Sequence, residues 1–315
     1  MISLQHLLRR VTKRMKEYSN GLILKGVGGF YYVETSDGVF ECRARGIFRK
    51  MGITPLAGDR VNLRVSPDRT GAVVEILPRR NALVRPPVAN IDRLVIVVST
   101  CEPSPNALVI DRMTAEAEAS GIEPVIAVSK ADLQSAEAVL DVYRKADIPL
   151  FCVSPDGNEG TRELKAILPG RITAFTGNSG VGKSTLLNAM FGEFHQPTGE
   201  ISQKLGRGRH TTRQVELLPL PGGGYVVDTP GFSSLDTEFS GALTKDNLAE
   251  CFPEFRPYLN QCRFTSCSHT CEEGCAVLQA VRDGEISASR QESYTAIYRE
   301  MKEKKAWQKK EKSVP

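Results

Sequence analysis

Gly177-Asn178-Ser179-Gly180-Val181-Gly182-Lys183-Ser184, with Thr185 following, is the stretch that decides how this chain folds. Gly177 and Gly182 bracket four residues, and a lysine and a hydroxyl close the run. The segment 171–176 before it reads as a strand, and 186–190 after it reads as the opening of a helix. A strand, a glycine loop and a helix in that order let successive backbone N–H groups curl around one centre. The helix N-terminus adds the positive end of its dipole, so phosphate is the favoured ligand. Lys183 is then placed to reach β- and γ-phosphates, and Ser184 to offer its hydroxyl to Mg²⁺. A nucleoside triphosphate is the expected ligand.

Upstream, 91–99, 124–129 and 150–154 read as buried strands, separated by helical stretches over 105–120, 135–145 and 159–168. That alternation predicts right-handed crossovers and a parallel sheet. Ser129-Lys130-Ala131-Asp132 closes one of these strands. Lys-x-Asp is the spacing of a guanine reader, in which the carboxylate accepts from the ring N–H and the exocyclic amine while the lysine stem lies along the base. The ordinary meaning of such a triplet is a solvated turn, and its place at a strand end beside the glycine loop is what raises it. Ser129 stands where such readers usually carry Asn, and a hydroxyl makes fewer bonds to the phosphate loop than an amide. Ser154, at the next strand end, is expected to back the base. Downstream come a loop over 194–210, strands over 213–220 and 224–227, and Asp228-Thr229-Pro230-Gly231. Asp228 would hold Mg²⁺ through a water and the Gly231 N–H would meet the γ-phosphate. Ordinary GTPases place the base reader last; here it precedes the phosphate loop.

The N-terminal third has a different texture. Residues 1–18 space Leu4, Leu7, Leu8, Val11 and Met15 as on a helix, or form a loosely attached arm. Short β-rich runs follow over 29–34, 38–45, 59–65 and 71–77, which predict a small closed barrel of OB type. Phe30, Tyr31, Tyr32, Arg43, Arg45, Arg49 and Lys50 supply the aromatic and basic mix that single-stranded RNA would use, although some of those rings must fill the barrel. The Pro-rich stretch 78–90 reads as an extended linker. The expected domains are a basic arm (1–20), an OB barrel (21–80), a linker (81–90), a permuted nucleotide domain (91–235) and a mainly helical metal-binding domain with a basic tail (236–315).

Of eight cysteines, Cys42, Cys101 and Cys152 are isolated and read as small buried hydrophobes, while five crowd into 251–275. Cys262-x₄-Cys267-x-His269-x₅-Cys275 is a Cys₃His set suited to one structural zinc ion. Cys271 is an extra thiol expected to stand aside, and Cys251 reads as core. Net charge is only +4, but 1–20 and 299–312 are strongly basic around a mildly acidic body. A polyanion partner and two solvated helix faces explain that pattern equally well. No apolar run reaches a membrane-spanning length of about 20 residues, and no signal peptide follows the basic start, so a cytoplasmic protein is expected.

Taken together, the ordered motifs Ser-Lys-x-Asp, Gly-Asn-Ser-Gly-Val-Gly-Lys-Ser, Arg207-Gly-Arg-His-Thr-Thr212, Asp-Thr-Pro-Gly-Phe232 and the Cys/His cluster resemble the bacterial small-subunit-dependent GTPase A family. The resemblance runs from about residue 21 to 298. It implies a circularly permuted GTPase with an N-terminal OB-fold and a C-terminal zinc domain. It also implies binding to the 30S subunit and its 16S rRNA late in maturation, with GTP hydrolysis stimulated by that subunit. A monomer cycling between GTP and GDP, without a membrane partner, is expected. Ser266 and Glu273 depart from the Asp and Pro common in the family, which touches support of the ligands rather than ligation.

Phe232 follows Gly231 where many GTPases place the Gln that orients the attacking water, and phenylalanine cannot hydrogen-bond to water. His210 is the nearest substitute, and the family resemblance points to the same residue; its alternative is packing or RNA contact among Arg207, Arg209 and Arg213. Thr211 or Thr212 is expected to close over the metal. Two rival classes remain on sequence grounds, a small-molecule kinase and an RNA-binding module with a vestigial nucleotide site. The guanine reader disfavours the first, and intact Lys183, Ser184 and Asp228 disfavour the second.

Overall fold

A computed structural model describes residues 15–192, 215–228, 237–239 and 241–311. Strands β1 (Lys16–Val27), β2 (Phe30–Thr35), β3 (Gly38–Ala44), β4 (Arg60–Val65) and β5 (Thr70–Ile76) form the N-terminal barrel, with helix α1 (Gly46–Lys50) between β3 and β4. The strands run in the order β1-β2-β3-β5-β4, and β4 pairs back onto β1, closing the barrel without an open edge. Alternation drives it: along β4, Val61, Leu63 and Val65 point inward while Arg60 and Arg64 face water. Gly71 permits the close β3–β5 approach, since a Cβ there would lie 2.4 Å from the Cys42 sulfur.

β1 corrects the expected helix over 1–18, because Lys16–Tyr18 already pair with Leu63–Val65 of β4. The helical spacing of Leu4 to Met15 stops where the strand begins, and residues 1–14 lie outside the described residues. The stretch 81–90 is extended, as expected, but it is packed rather than free. Strands β6 (Ala82–Arg85) and β7 (Val88–Ala89) form a hairpin whose Leu83 and Val88 enter the central core. Gly58, at φ +88°, presses the barrel onto this hairpin; a Cβ there would sit 2.0 Å from the Ala89 carbonyl oxygen.

The central domain is a sheet in the order β10-β9-β8-β11-β13-β12, built from β8 (Arg93–Ser99), β9 (Glu123–Ser129), β10 (Leu150–Cys152), β11 (Ile172–Thr176), β12 (Glu216–Pro219) and β13 (Tyr225–Asp228). All but β12 are parallel. β8 is buried along its whole length, as a strand covered on both faces must be. Leu94, Ile96 and Val98 meet helices α2 (Ala107–Ala119) and α3 (Glu137–Tyr143) on one face. Val95 and Val97 meet α4 (Glu159–Ala166) and α5 (Lys183–Phe191) on the other. The barrel continues this sheet: β1 pairs β12 at Lys25 and Glu216, whose side chains also form a 2.6 Å ion pair.

The C-terminal part is helical, with 3₁₀ turns at Leu248–Cys251 and Pro253–Tyr258, then α6 (Ala276–Arg282) and α7 (Ala288–Glu311). Phe252, Phe255 and Tyr294 form its aromatic centre, with ring centroids 4.9–5.3 Å apart. A short strand, β14 (Glu238–Phe239), joins the β6–β7 hairpin. The contact with the central domain is a buried ionic cluster. Arg290 on α7, 0% exposed, grips Glu254 through Nε and Nη2 at 2.6 and 3.1 Å and donates to Asp111 of α2 at 2.8 Å. Tyr143 donates to the same Asp111 oxygen at 2.9 Å, leaving the other Asp111 oxygen buried without a partner. Removing the one cation strands two carboxylates in a dry interior. Arg290→Met should therefore cost about 3–5 kcal/mol, read as a lower midpoint in urea unfolding; an unchanged midpoint would show that this cluster does not hold the two domains together.

Candidate nucleotide site and metal centre

β11 is buried throughout and delivers the chain at Thr176 to the glycine loop. Gly177, at φ +152°, runs so close to β8 that a Cβ would fall 2.4 Å from the Val97 carbonyl oxygen. Gly182, at φ +90°, is the cap from which α5 starts. Val181 is buried with Leu186 and Met190 and pins the loop to the apolar core beneath it. Ser179 and Gly180 are exposed and Asn178 is half-buried, so the loop's outer rim is open. The Lys183 ammonium folds back across the loop, donating to the Gly177 carbonyl and, at 3.4 Å, to that of Asn178. Ser184 and Thr185 are exposed in the first turn of α5.

The segment Ser129–Asp132 leaves β9 beside this loop. Ser129 is 7% exposed, and its hydroxyl lies 2.6 Å from the Val181 carbonyl oxygen and 3.2 Å from that of Val98. One hydroxyl proton serves one acceptor, and the shorter contact selects Val181. The side chain that replaces Asn therefore still ties this strand end to the glycine loop. Lys130 adopts a left-handed φ of +61°, held by Thr100, whose hydroxyl donates to the Lys130 carbonyl at 2.7 Å and whose N–H donates to Ser129 at 3.1 Å. The Lys130 ammonium donates to the Glu102 carbonyl. Ala131 is half-buried and Asp132 exposed. Sequence reading missed the part played by Thr100 and Glu102, which nothing but their place after a strand could have signalled.

Ser154 follows β10, half-buried, its N–H donating to Thr161 at 2.9 Å and its hydroxyl to Asp156. Asp228 ends β13, the neighbour of β11, opposite Glu216 of β12. Glycine loop, Ser129–Asp132, Ser154 and Asp228 thus all follow the carboxyl ends of parallel strands, along one edge of the sheet. The exposed Ser184 hydroxyl in the first turn of α5 is an oxygen donor of the kind Mg²⁺ takes. His210, Thr211, Thr212, Gly231 and Phe232 lie outside the described residues.

In the C-terminal part, Cys262, Cys267, His269 and Cys275 bring their ligand atoms within 4.8 Å of one another. His269 Nδ1 is 3.5 Å from Cys262 Sγ and 3.4 Å from Cys275 Sγ. Backbone N–H groups of Ala276 and Leu278 each point at a sulfur, Cys262 and Cys275 respectively, at 3.4 Å. Burial pushes the Cys267 thiol up to about 12 and holds His269 below its usual range. One imidazole and three thiols gathered this closely are the donor set of a four-coordinate soft metal site. Burial alone would raise Glu272, but donors from Ser268 and Cys271 hold it at about 2, and its carboxylate stiffens the ligand loop.

Cys271 is exposed and stands apart from the group of four, and Cys251 is buried in the core. Cys101 and Cys152 are only half-buried, which corrects the expectation that they are core residues; both sit at or just past strand ends, where the sheet gives way to loops. Fully reduced protein should carry one zinc ion per chain by elemental analysis. Cys267→Ala should abolish that content and lower the melting temperature, while Cys271→Ala should change neither; zinc retained by the first variant, or lost from the second, contradicts this ligand set.

Comparison with known proteins agrees with this architecture. The family model described as RsgA GTPase matches residues 76–238, and the RsgA N-terminal domain model matches 20–73. A third, described as 50S ribosome-binding GTPase, matches 172–310, beginning at the strand that carries the glycine loop. The small ribosomal subunit biogenesis GTPase RsgA of Caldanaerobacter subterraneus is 46% identical over 291 residues, covering 91% of this chain and 97% of its own. That of Geobacillus kaustophilus is 43% identical, covering 91% and 99%. The crystal structure of YjeQ from Thermotoga maritima aligns with a TM-score of 0.75 at 32% identity, covering 91% of this chain and 99% of its own. YloQ, a circularly permuted GTPase, aligns at 0.73 with 36% identity, covering 94% and 98%. The chain therefore belongs to the RsgA GTPase family and is a GTP-hydrolysing enzyme with its nucleotide domain circularly permuted.

Proposed function

We propose that this chain is a monomeric cytoplasmic factor that binds the 30S ribosomal subunit and its 16S rRNA late in assembly, and that the subunit stimulates its GTP hydrolysis. The partner is taken from the relatives matched over nearly their whole length, which are named for biogenesis of the small ribosomal subunit. The observation that carries the guanine reading is the Ser129 hydroxyl on the Val181 carbonyl, which ties the strand end bearing Asp132 to the phosphate-type loop. No helix among the described residues is long and apolar enough to cross a membrane.

With GTP bound, Lys183 exchanges the loop carbonyls it now holds for the β- and γ-phosphates, while Gly177, Asn178, Ser179, Gly180, Val181, Gly182 and Thr185 line the cradle. Lys130 lies along the base, Asp132 accepts from it, and Ala131 and Ser154 flank it. Ser184 and Asp228 are the residues that hold Mg²⁺, which when bound neutralises phosphate charge. Gly231 meets the γ-phosphate, Thr211 or Thr212 closes the site, and His210 orients the attacking water in place of a glutamine. Zinc in the Cys₃His set is structural, because the protein fills all four positions.

Phosphate release from GTP, measured with and without purified 30S subunits, tests both halves of this reading. The wild type should be stimulated by the subunits. His210→Ala should bind GTP as before and lose about 100-fold or more of the stimulated rate. A wild type indifferent to subunits overturns the partner, and an unimpaired variant overturns the role of His210.

A further inference from the structure

A second concave site lies at the opposite end of the central sheet from the glycine loop. It is a cleft of about 460 Å³ where the barrel meets the nucleotide domain, and its walls include Arg60, Arg80, Arg171, Asp92 and Tyr225. Arg60 opens β4 of the barrel, Arg171 precedes β11, and Asp92 precedes β8, so both domains contribute. The turn ending at Gly224 packs flat against Gly170 and Arg171; a Cβ on Gly224 would lie 2.7 Å from three of their backbone atoms. Gly170 and Gly224 bring no side chain to that wall, which Arg171 and Tyr225 flank.

The charges in the cleft are unevenly spent. Asp92 is its one lining carboxylate, and both of its oxygens are in use: Oδ1 accepts from Arg80 at 2.8 Å, and Oδ2 accepts from the Ile172 N–H at 2.8 Å. Glu34, the carboxylate bonded to a lining residue from outside, accepts the Tyr225 hydroxyl. Arg80 is fixed by Asp92 and the Asn90 carbonyl. Among the described residues, the exposed Arg60 reaches only the Asn20 carbonyl, at 3.4 Å. Among the described residues, the exposed Arg171 guanidinium has no ion-pair or hydrogen-bond partner. Two guanidiniums from two domains, beside the glycines at 170 and 224, are left with their donors for something else.

We propose that this cleft binds the phosphodiester backbone of a single RNA strand laid along the seam between barrel and nucleotide domain. Guanidinium forks match phosphate oxygens in pairs, and the two glycines of the wall leave room beside them for a continuous polymer. Such contacts position a strand without reading its sequence. Arg60 and Arg171 would clamp successive phosphates from the two sides of the seam, so the strand would also fix the barrel's angle to the sheet. The inference rests on the ribosomal reading for its partner but is testable without ribosomes.

Binding of a single-stranded RNA oligonucleotide should be followed between 50 and 200 mM salt for the wild type, Arg60→Gln/Arg171→Gln and Arg60→Lys/Arg171→Lys. Each phosphate contact contributes about 0.7 to the slope of log K against log salt for a single strand. The glutamine pair should therefore flatten the slope by about 1.4 and weaken binding roughly 10-fold at the low-salt end, with basal GTP hydrolysis unchanged. The lysine pair should restore the slope. A wild type that ignores the oligonucleotide, or a glutamine pair with the wild-type slope, overturns the proposal. So does a pair that loses only binding of free pyrophosphate, which marks a small-anion site. If the wild type binds the oligonucleotide but not 30S subunits, the ribosomal reading falls while the slope still decides the cleft.

Discussion

Parallel strands present their carboxyl ends along one edge of a sheet, whatever order the chain visits them in. That constraint is what lets this protein assemble a nucleotide site from segments in permuted sequence. β9 and β10 arrive before β11, yet β9 lies only one strand, β8, away from it. The segment after β9 is close enough to the glycine loop for a single serine hydroxyl to bridge them. Serine has one donor where asparagine has two, so this bridge is thinner than the amide it replaces. Thr100 compensates locally by bracketing Ser129 and Lys130 with two hydrogen bonds. These bonds also hold a non-glycine residue in a left-handed conformation, which otherwise costs energy.

Permutation also changes what the edge of the site is joined to. β13 ends at Asp228, and in the C-terminal part α7 is anchored to α2 by Arg290. On the other side β12 is paired to β1 of the barrel, reinforced by Lys25 and Glu216. Of the two strands that follow the glycine-loop helix, β12 is thus the one joined by pairing to the barrel.

How much of this was legible depended on whether the signal was local. The glycine loop, the Cys/His spacing and the inward alternation of Val61, Leu63 and Val65 are short-range patterns, and each stands in the structure as spaced. β1 was hidden because its first five residues, Lys-Glu-Tyr-Ser-Asn, are polar and follow a helix-spaced run; only pairing with β4 makes them a strand. The hairpin at 82–89 was hidden by its prolines, although Leu83 and Val88 are core. Arg290 sits in a polar helix with no distinguishing neighbour, and its partners are 36 and 179 residues away. The three arginines of the cleft, Arg60, Arg80 and Arg171, likewise come from separate segments. Ionic contacts between domains leave no periodicity behind, so sequence alone passes over them.

The central claim is that Asp132, placed ahead of the phosphate loop in the chain, reads guanine in the pocket that loop forms. Guanine offers two donors on that edge, whereas xanthine replaces the exocyclic amine with a carbonyl acceptor. Asp132→Asn turns one acceptor of the side chain into a donor and should invert the preference. The direct measurement is competition between GTP and XTP for the wild type and this variant. A switch from GTP to XTP is the predicted result. Unaltered preference for GTP would mean that the base is read elsewhere.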